Sequence, residues 1–334
     1  MADNASAKER ASGGALLRIA GSLLGRPEAG IFVVAILLFI YFQASNPAFL
    51  TRDNLLTLSQ TVAPIAIMAA GLVMVMILGE IDLSVGQTFG FAPIVAYLAY
   101  EDLRLILPLA VVVGLLVTAV VGFINGAVRV YLGVPSFVVT LGTFFLIGGL
   151  NVILLGGFPA NAPGGPVRQV LGAKPTSEII WCVVIIVLMH VLLKYTRWGL
   201  HTFATGGNFI GAREAGIKVD RVKIGNFVLC AMLAGFAGIL EAFRIGSIDP
   251  LAGGADIMFF AIAAAVIGGT PLAGGVGTII GAFLGALVYS ELKQGFTLLG
   301  VNANAFNVII GIAVLVVMVL NIYVGRLRRG RRIA

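Results

Sequence analysis

Charge is what this chain has least of. Its 334 residues carry 22 Lys and Arg and 15 Asp and Glu, 11% of the total, where soluble domains hold about a quarter. That scarcity excludes a soluble globule, and it excludes a disordered chain, which needs dense charge and little hydrophobicity. Only two cysteines occur, Cys182 and Cys230, each inside its own apolar run, with neither disulfide-framework nor metal-ligand spacing. No Gly-x-x-x-x-Gly-Lys-Ser/Thr run is present, so the chain has no phosphate-cradling loop of its own. No Ser/His pair, paired Asp or His-Glu-x-x-His arrangement occurs either, and no catalytic, cofactor-binding or metal-binding residue is expected on this chain. The net charge of +7 sits in short flanks of apolar runs. A nucleic-acid surface would instead show a basic stripe with interleaved aromatics, so no nucleic acid is expected as a partner.

What remains is apolar. Hydrophobic residues make up 59% of the chain and the mean hydropathy is +1.06. A helix needs about 20 residues to cross about 30 Å of hydrocarbon, and ten runs approach that length: 29–44, 55–78, 84–100, 105–128, 135–155, 178–194, 223–243, 256–268, 274–295 and 304–324. Gly, Pro and acidic residues interrupt the third, eighth and ninth. Continuous runs such as VIIGIAVLVVMVL lack the alternation of a barrel strand. The expected fold is therefore an all-α polytopic membrane protein of about ten transmembrane helices. With the N-terminus inside, 16 Lys and Arg fall on inner segments and five on outer ones, the positive-inside pattern. Both termini are expected in the cytoplasm: a tail over 1–28, a membrane domain over 29–324 with an inner loop over 195–223, and a basic tail over 325–334. Spans two to five and seven to ten occupy similar lengths, and an offset of five spans reverses direction, which permits an inverted repeat.

Three segments carry information beyond hydropathy. The first is Gly79-Glu80-Ile81-Asp82-Leu83-Ser84-Val85-Gly86, two carboxylates with almost no polar linker around them. Asp82 or Ser84 is positioned to cap the third span, and a gating or partner-contact role is compatible with that. The second is the 195–223 loop, where Gly206-Gly207-Asn208 reads as a turn and Phe209 to Ala215 as one or two helical turns ended by Gly216. The loop is compatible with an ordinary basic connection and with a surface that a partner grips through Ala212, Arg213, Glu214, Gly216 and Ile217. The third is a glycine hairpin, Gly268-Gly269-Thr270-Pro271-Leu272-Ala273-Gly274-Gly275-Val276-Gly277. Gly277, Gly281 and Gly285 then recur every four residues, leaving a helix face bare for close packing. Gln60, Gln87, Asn125, Thr140 and Asn151 are polar residues within spans, candidates for a translocation path or for bonds between helices. The outer 156–177 stretch, rich in Gly and Pro, is a connecting loop or a docking surface.

Taken together, GEIDLSVG, TGGNFIGAREAGI and GGTPLAGGVGTIIGAFLGAL resemble the permease family of bacterial ABC importers for ribose, xylose, arabinose, galactose and related polyols. The similarity runs over about residues 30–324. Phe209, Ile210 and Glu214 depart from the residue types common in that family. The resemblance implies a homodimeric pore in the inner membrane, embedded in lipid, joined to a cytoplasmic ATP-binding subunit and a periplasmic sugar-binding protein. ATP and magnesium would be bound by the partner subunit. It also implies that residues 206–217 form the coupling segment toward the ATPase. The other function compatible with the sequence is an ion-coupled secondary transporter of a small polar solute, with Glu80, Asp82, Glu241 or Asp256 as coupling carboxylates.

Overall fold

A long apolar segment in hydrocarbon has to satisfy its backbone internally, and helices do so residue by residue. The computed structural model describes residues 28–302 and part of 305–319. Apart from Glu28 the expected tails over 1–28 and 325–334 lie outside the described residues, as does much of the tenth span. The helices are α1 (Ala29–Ser45), α2 (Arg52–Ile77), α3 (Val85–Glu101), α4 (Leu107–Tyr131), α5 (Ser136–Leu155), α6 (Ser177–Tyr195), α7 (Arg197–Gly207), α8 (Phe209–Glu214), α9 (Val219–Ile245), α10 (Ala255–Ile267) and α11 (Ile279–Leu298). Two short strands, β1 (Ala160–Asn161) and β2 (Ser247–Ile248), pair antiparallel.

Among the described residues, α2, α4, α5, α6 and α9 are long and apolar enough to cross a membrane. The expected first and ninth spans, α1 and α11, are not among these five, and neither are the expected third and eighth. They are α3, with 17 residues, and α10, with 13, and at 1.5 Å per residue α10 is about 20 Å long, short of a full crossing.

The core is built on α2, where every residue from Val62 to Ile77 is buried, and on α9, which packs against it. Helices α3 and α4 lie on α9, whereas α10 and α11 lie on α2. This reciprocal exchange is what a two-fold relation between two chain halves produces. The halves align at a fixed offset of 167 residues: α2 begins at 52 and α9 at 219, and the left-handed glycine after each is Gly79 or Gly246. At that spacing Ala70-Gly71, Ile81-Asp82, Gly86, Gly114 and Leu132-Gly133-Val134 recur as Ala237-Gly238, Ile248-Asp249, Gly253, Gly281 and Leu299-Gly300-Val301. Gly133 and Gly300 have φ of +71° and +74°.

Helix approach in this core depends on missing side chains. A Cβ at Gly122 of α4 would stand 2.7 Å from the Val228 Cα of α9, whereas one at Gly142 of α5 would meet nothing within 4 Å. Gly122→Leu should therefore lower stability by about 1–3 kcal/mol through overpacking, read as a lower melting temperature of the detergent-purified protein. Gly142→Leu should leave that temperature unchanged.

Candidate functional site

The three glycine-rich segments, far apart in sequence, meet at one end of the bundle. Helix α2 ends at Ile77, and Gly79 follows with φ of +71°. Gly275 donates its N–H to the Ile77 carbonyl at 2.8 Å, and a Cβ on Gly274 would stand 2.7 Å from the Gly79 nitrogen. Gly206, in the last turn of α7, lies so close that a Cβ there would collide with the Ile77 carbonyl. All three backbones thus touch at Ile77–Gly79, and a side chain at Gly206 or Gly274 would force them apart.

An ion cluster sits beside this junction. Glu80 is buried and accepts from Arg129 Nε of α4 at 2.8 Å and from Lys223 Nζ of α9 at 2.5 Å. Burial works to raise the Glu80 carboxyl, but the hydrogen bonds from Arg129 and Lys223 outweigh it and hold the group below its ordinary value. The Lys223 ammonium also lies 5.2 Å from the centre of the Phe209 ring, the first residue of α8, within reach of a cation–π attraction.

The 195–223 connection is more ordered than a turn and a single short helix. Gly206 and Gly207 are the end of α7 and not a turn, and Asn208 separates two helices while its side chain accepts the Gly211 N–H at 2.9 Å. Trp198 Nε1 donates to Asn226 Oδ1 at 2.7 Å, and Asn226 Nδ2 donates to Thr202 Oγ1 at 3.1 Å and to the Met74 carbonyl at 3.3 Å. Those bonds fasten α7 to α9 and α2. In α8, Ala212 faces inward while Ile210, Arg213 and Glu214 are exposed, and Gly216, with φ of +82°, turns the chain so that Ile217 N–H reaches the Ala212 carbonyl.

From Glu80 the chain enters the bundle alongside α5. Ile81 N–H donates to Ser136 Oγ at 3.2 Å, and Thr140 Oγ1 reaches the Ile81 and Ser136 carbonyls. Asp82 Oδ1 accepts from Ser84 N–H at 2.9 Å and from Ser84 Oγ at 2.6 Å. Ser84 Oγ in turn accepts from Asn125 Nδ2 at 2.9 Å, and Asn125 Oδ1 accepts from Thr143 Oγ1 at 2.6 Å. Asn151 Nδ2 donates to the Gln87 carbonyl and side chain at 3.2 and 3.3 Å. Between Ser136 and Asn151 lie about 22 Å of helix, so α3 begins deep inside the bundle. Neither expected residue caps it: Ser84 stands at the N-cap with no side-chain bond to the helix, and Asp82 accepts the N–H of Ser84 itself, ahead of the first helical residue. Leu83 is buried at the same level.

Gly86 then meets the start of α10. Gly254 N–H donates to the Gly86 carbonyl at 3.0 Å, and neither Gly86 nor Gly253 has room for a Cβ. From this point α10 runs back toward the glycine junction, where Gly268 and Gly281 abut, Gly285 lies on Ala264, and Gly269 turns the chain with φ of +93°. Gly277 does not belong to the bare helix face, because α11 starts at Ile279 with Thr278 as its cap. Gly277 packs against Ile77 and Thr270 instead.

Asn125, Thr140, Asn151 and Gln87 therefore hold helices together in this conformation, with the first three fully buried. Gln60 is half-buried near the other end of α2 and joins none of these bonds. In the sequence Arg129 and Lys223 are single charges at span ends; a carboxylate in a segment with almost no polar linker around it is the signal that cations have to come to it. Among the described residues no cluster of three or more His, Cys, Asp or Glu is placed to hold a metal ion.

Lys223→Met should destabilise the protein by about 3 kcal/mol, because it removes one partner of a buried carboxylate. The same substitution in a Glu80→Gln background should cost much less, a non-additivity that thermal unfolding of the four proteins measures. Because the folded-state value of Glu80 is depressed, the stabilisation is present above the ordinary carboxylate range and is lost as pH falls through the folded value. The cost of Lys223→Met should shrink accordingly at acid pH.

Comparison with known proteins gives this geometry a context. The family described as branched-chain amino acid transport system / permease component matches residues 54–318. The xylose/arabinose import permease protein of Sulfolobus acidocaldarius is 38% identical over 91% of this chain and 87% of its own length. The ribose import permease protein of Escherichia coli K12 is 33% identical over 86% of this chain and 91% of its own. The autoinducer 2 import system permease protein of Salmonella typhi is 34% identical over 90% and 86%. No solved structure gives a significant match. With a family match across most of its length and relatives of this identity and coverage, the chain belongs to the family of ABC transport permease components.

Proposed function

We propose that this chain is the membrane subunit of an ATP-driven importer for a monosaccharide or related polyol. It works as a pair of identical copies in the lipid of a bacterial inner membrane. The observation that carries the proposal is the junction at Ile77–Gly79, where the signature segment, α7–α8 and the glycine hairpin touch through backbone. The import functions named for the xylose/arabinose and ribose relatives support the substrate class.

On this reading the basic end of the bundle is cytoplasmic, and residues 206–217 of α7 and α8 seat in a partner subunit that binds ATP and magnesium. Exposed Ile210, Arg213 and Glu214 would face that partner, while buried Ala212 and the Asn208 cap keep α8 a rigid lever. A periplasmic binding protein would deliver the sugar at the opposite end. Closure of the paired ATPase subunits moves α8, and the junction passes that motion to α2, α3 and α10, which tilt to open the path inward. An ion-coupled carrier would need free carboxylates. Three of the four candidate carboxylates are engaged, Glu80 with two cations, Asp82 with Ser84 and Glu241 with Arg244, while Asp256 is exposed in the first turn of α10.

Replacing Gly211–Gly216 with a flexible Gly-Ser linker should reduce ATP-driven sugar uptake into proteoliposomes by about tenfold or more, with membrane insertion intact. Uptake at the normal rate would contradict the proposal.

A further inference from the structure

We infer that Gly246–Gly254 is the twin of the Gly79–Gly86 signature at the other end of the molecule, and that the two act as one relay between the binding-protein side and α8. The inference rests on the importer reading above. Both segments follow a long core helix through a left-handed glycine, Gly79 with φ of +71° and Gly246 with φ of +83°. Both continue with Ile-Asp, at 81–82 and 248–249. Both aspartates hold the amide two residues on: Asp82 Oδ1 accepts from Ser84 N–H at 2.9 Å and Asp249 Oδ1 from Leu251 N–H at 2.8 Å. Each segment then starts a short helix within the bundle, α3 or α10.

The twins also touch. Gly254 N–H donates to the Gly86 carbonyl at 3.0 Å, and a Cβ on Gly253 would collide with that same carbonyl. Backbone locked on backbone has no flexible side chain to absorb a displacement, so one segment cannot shift without moving the other. At the basic end the signature reaches α8 through Glu80, Lys223 and the Phe209 ring. At the opposite end its twin is tied to the 156–170 segment. There Ser247–Ile248 pairs with Ala160–Asn161, Ala162 N–H donates to the Gly246 carbonyl at 3.0 Å, and Arg168 Nε donates to the Phe243 carbonyl at 3.0 Å. Phe158 and Leu251 are exposed there, at 78% and 72%, an apolar edge beside the strand pair. The segment that a binding protein would press on thus joins, through backbone hydrogen bonds, the Glu80 ion pairs and the Lys223–Phe209 contact, the segment that an ATPase would move.

Spatial continuity is only a route, and energetic coupling has to be measured. The experiment uses the full complex in nanodiscs: this chain, its ATPase subunit and its binding protein, loaded with whichever of xylose, arabinose and ribose raises the binding protein's melting temperature. ATP hydrolysis is measured with and without the binding protein, and a fluorophore on Ile210→Cys reports on α8. Two variants probe the relay: Gly253→Ala, which strains the contact with Gly86, and Ala162→Pro, which removes only the outer N–H to Gly246. Both should leave basal hydrolysis near the wild-type rate, cut stimulation by the binding protein about fivefold or more, and abolish the fluorophore's response. If Gly253→Ala fails to fold, Ala162→Pro alone decides. Full stimulation and fluorophore response in the variants that fold, with a stimulated wild type, would overturn the relay alone. A wild-type complex that the loaded binding protein does not stimulate would overturn the importer reading and the relay with it.

Discussion

One backbone contact in the middle of the bundle, Gly254 N–H on the Gly86 carbonyl, determines where the remaining elements lie. Helices that begin within a membrane domain present unpaired N–H groups, and irregular backbone survives at that depth only when buried in protein. Here α3 and α10 start side by side at that contact, and glycine on both chains allows the approach. From there α10 runs to the basic end, where the hairpin that follows it closes on Gly79, and α3 runs the other way. The irregular segments leading into them, 79–84 and 246–254, are what the two short helices leave over from a full crossing.

Polar chemistry inside the bundle follows that geometry. Along one face of α5, Ser136 and Thr140 bond the entering segment at Ile81, Thr143 bonds Asn125 of α4, and Asn151 bonds Gln87 in α3. A buried polar network of this kind specifies one register because each partial loss leaves an unsatisfied group. The scarce charges are concentrated in the same way: Glu80 takes two cations from two helices at the point where the 79–84 segment enters. That cluster also reaches the first residue of α8, so the groups that fix the depth of the 79–84 segment lie beside α8.

Much of this was legible in the residues. Apolar runs located the long helices, three glycine-rich segments marked the site, and Gly216 marked the end of α8. Hydropathy averages over about 20 residues, so it could not distinguish a helix that starts at mid-depth, such as α10, from one that starts at the surface. Gly206-Gly207 reads locally as a turn, yet α7 continues through it because Trp198 and Thr202 anchor that helix on Asn226. Gly277 shares the four-residue spacing of Gly281 and Gly285, but Thr278 caps the helix after it. The repeat was permitted by span arithmetic alone, since its matches are single glycines and runs of two or three residues (Ala-Gly, Ile-Asp, Leu-Gly-Val) scattered at 167-residue intervals (79 to 246, 82 to 249). Only the paired backbone angles and the reciprocal packing give those matches weight.

The central claim is that segments 79–86 and 246–254 enter the bundle from opposite ends and meet at Gly86 and Gly254. Single cysteines placed one at a time along 79–87 and 246–255, with Cys182 and Cys230 replaced by alanine, test it directly when labelled by a membrane-impermeant maleimide in right-side-out and inside-out vesicles. The account predicts that the first series is labelled only from the inside and the second only from the outside, both fading toward 86 and 254. Labelling of both series from the same side would contradict it.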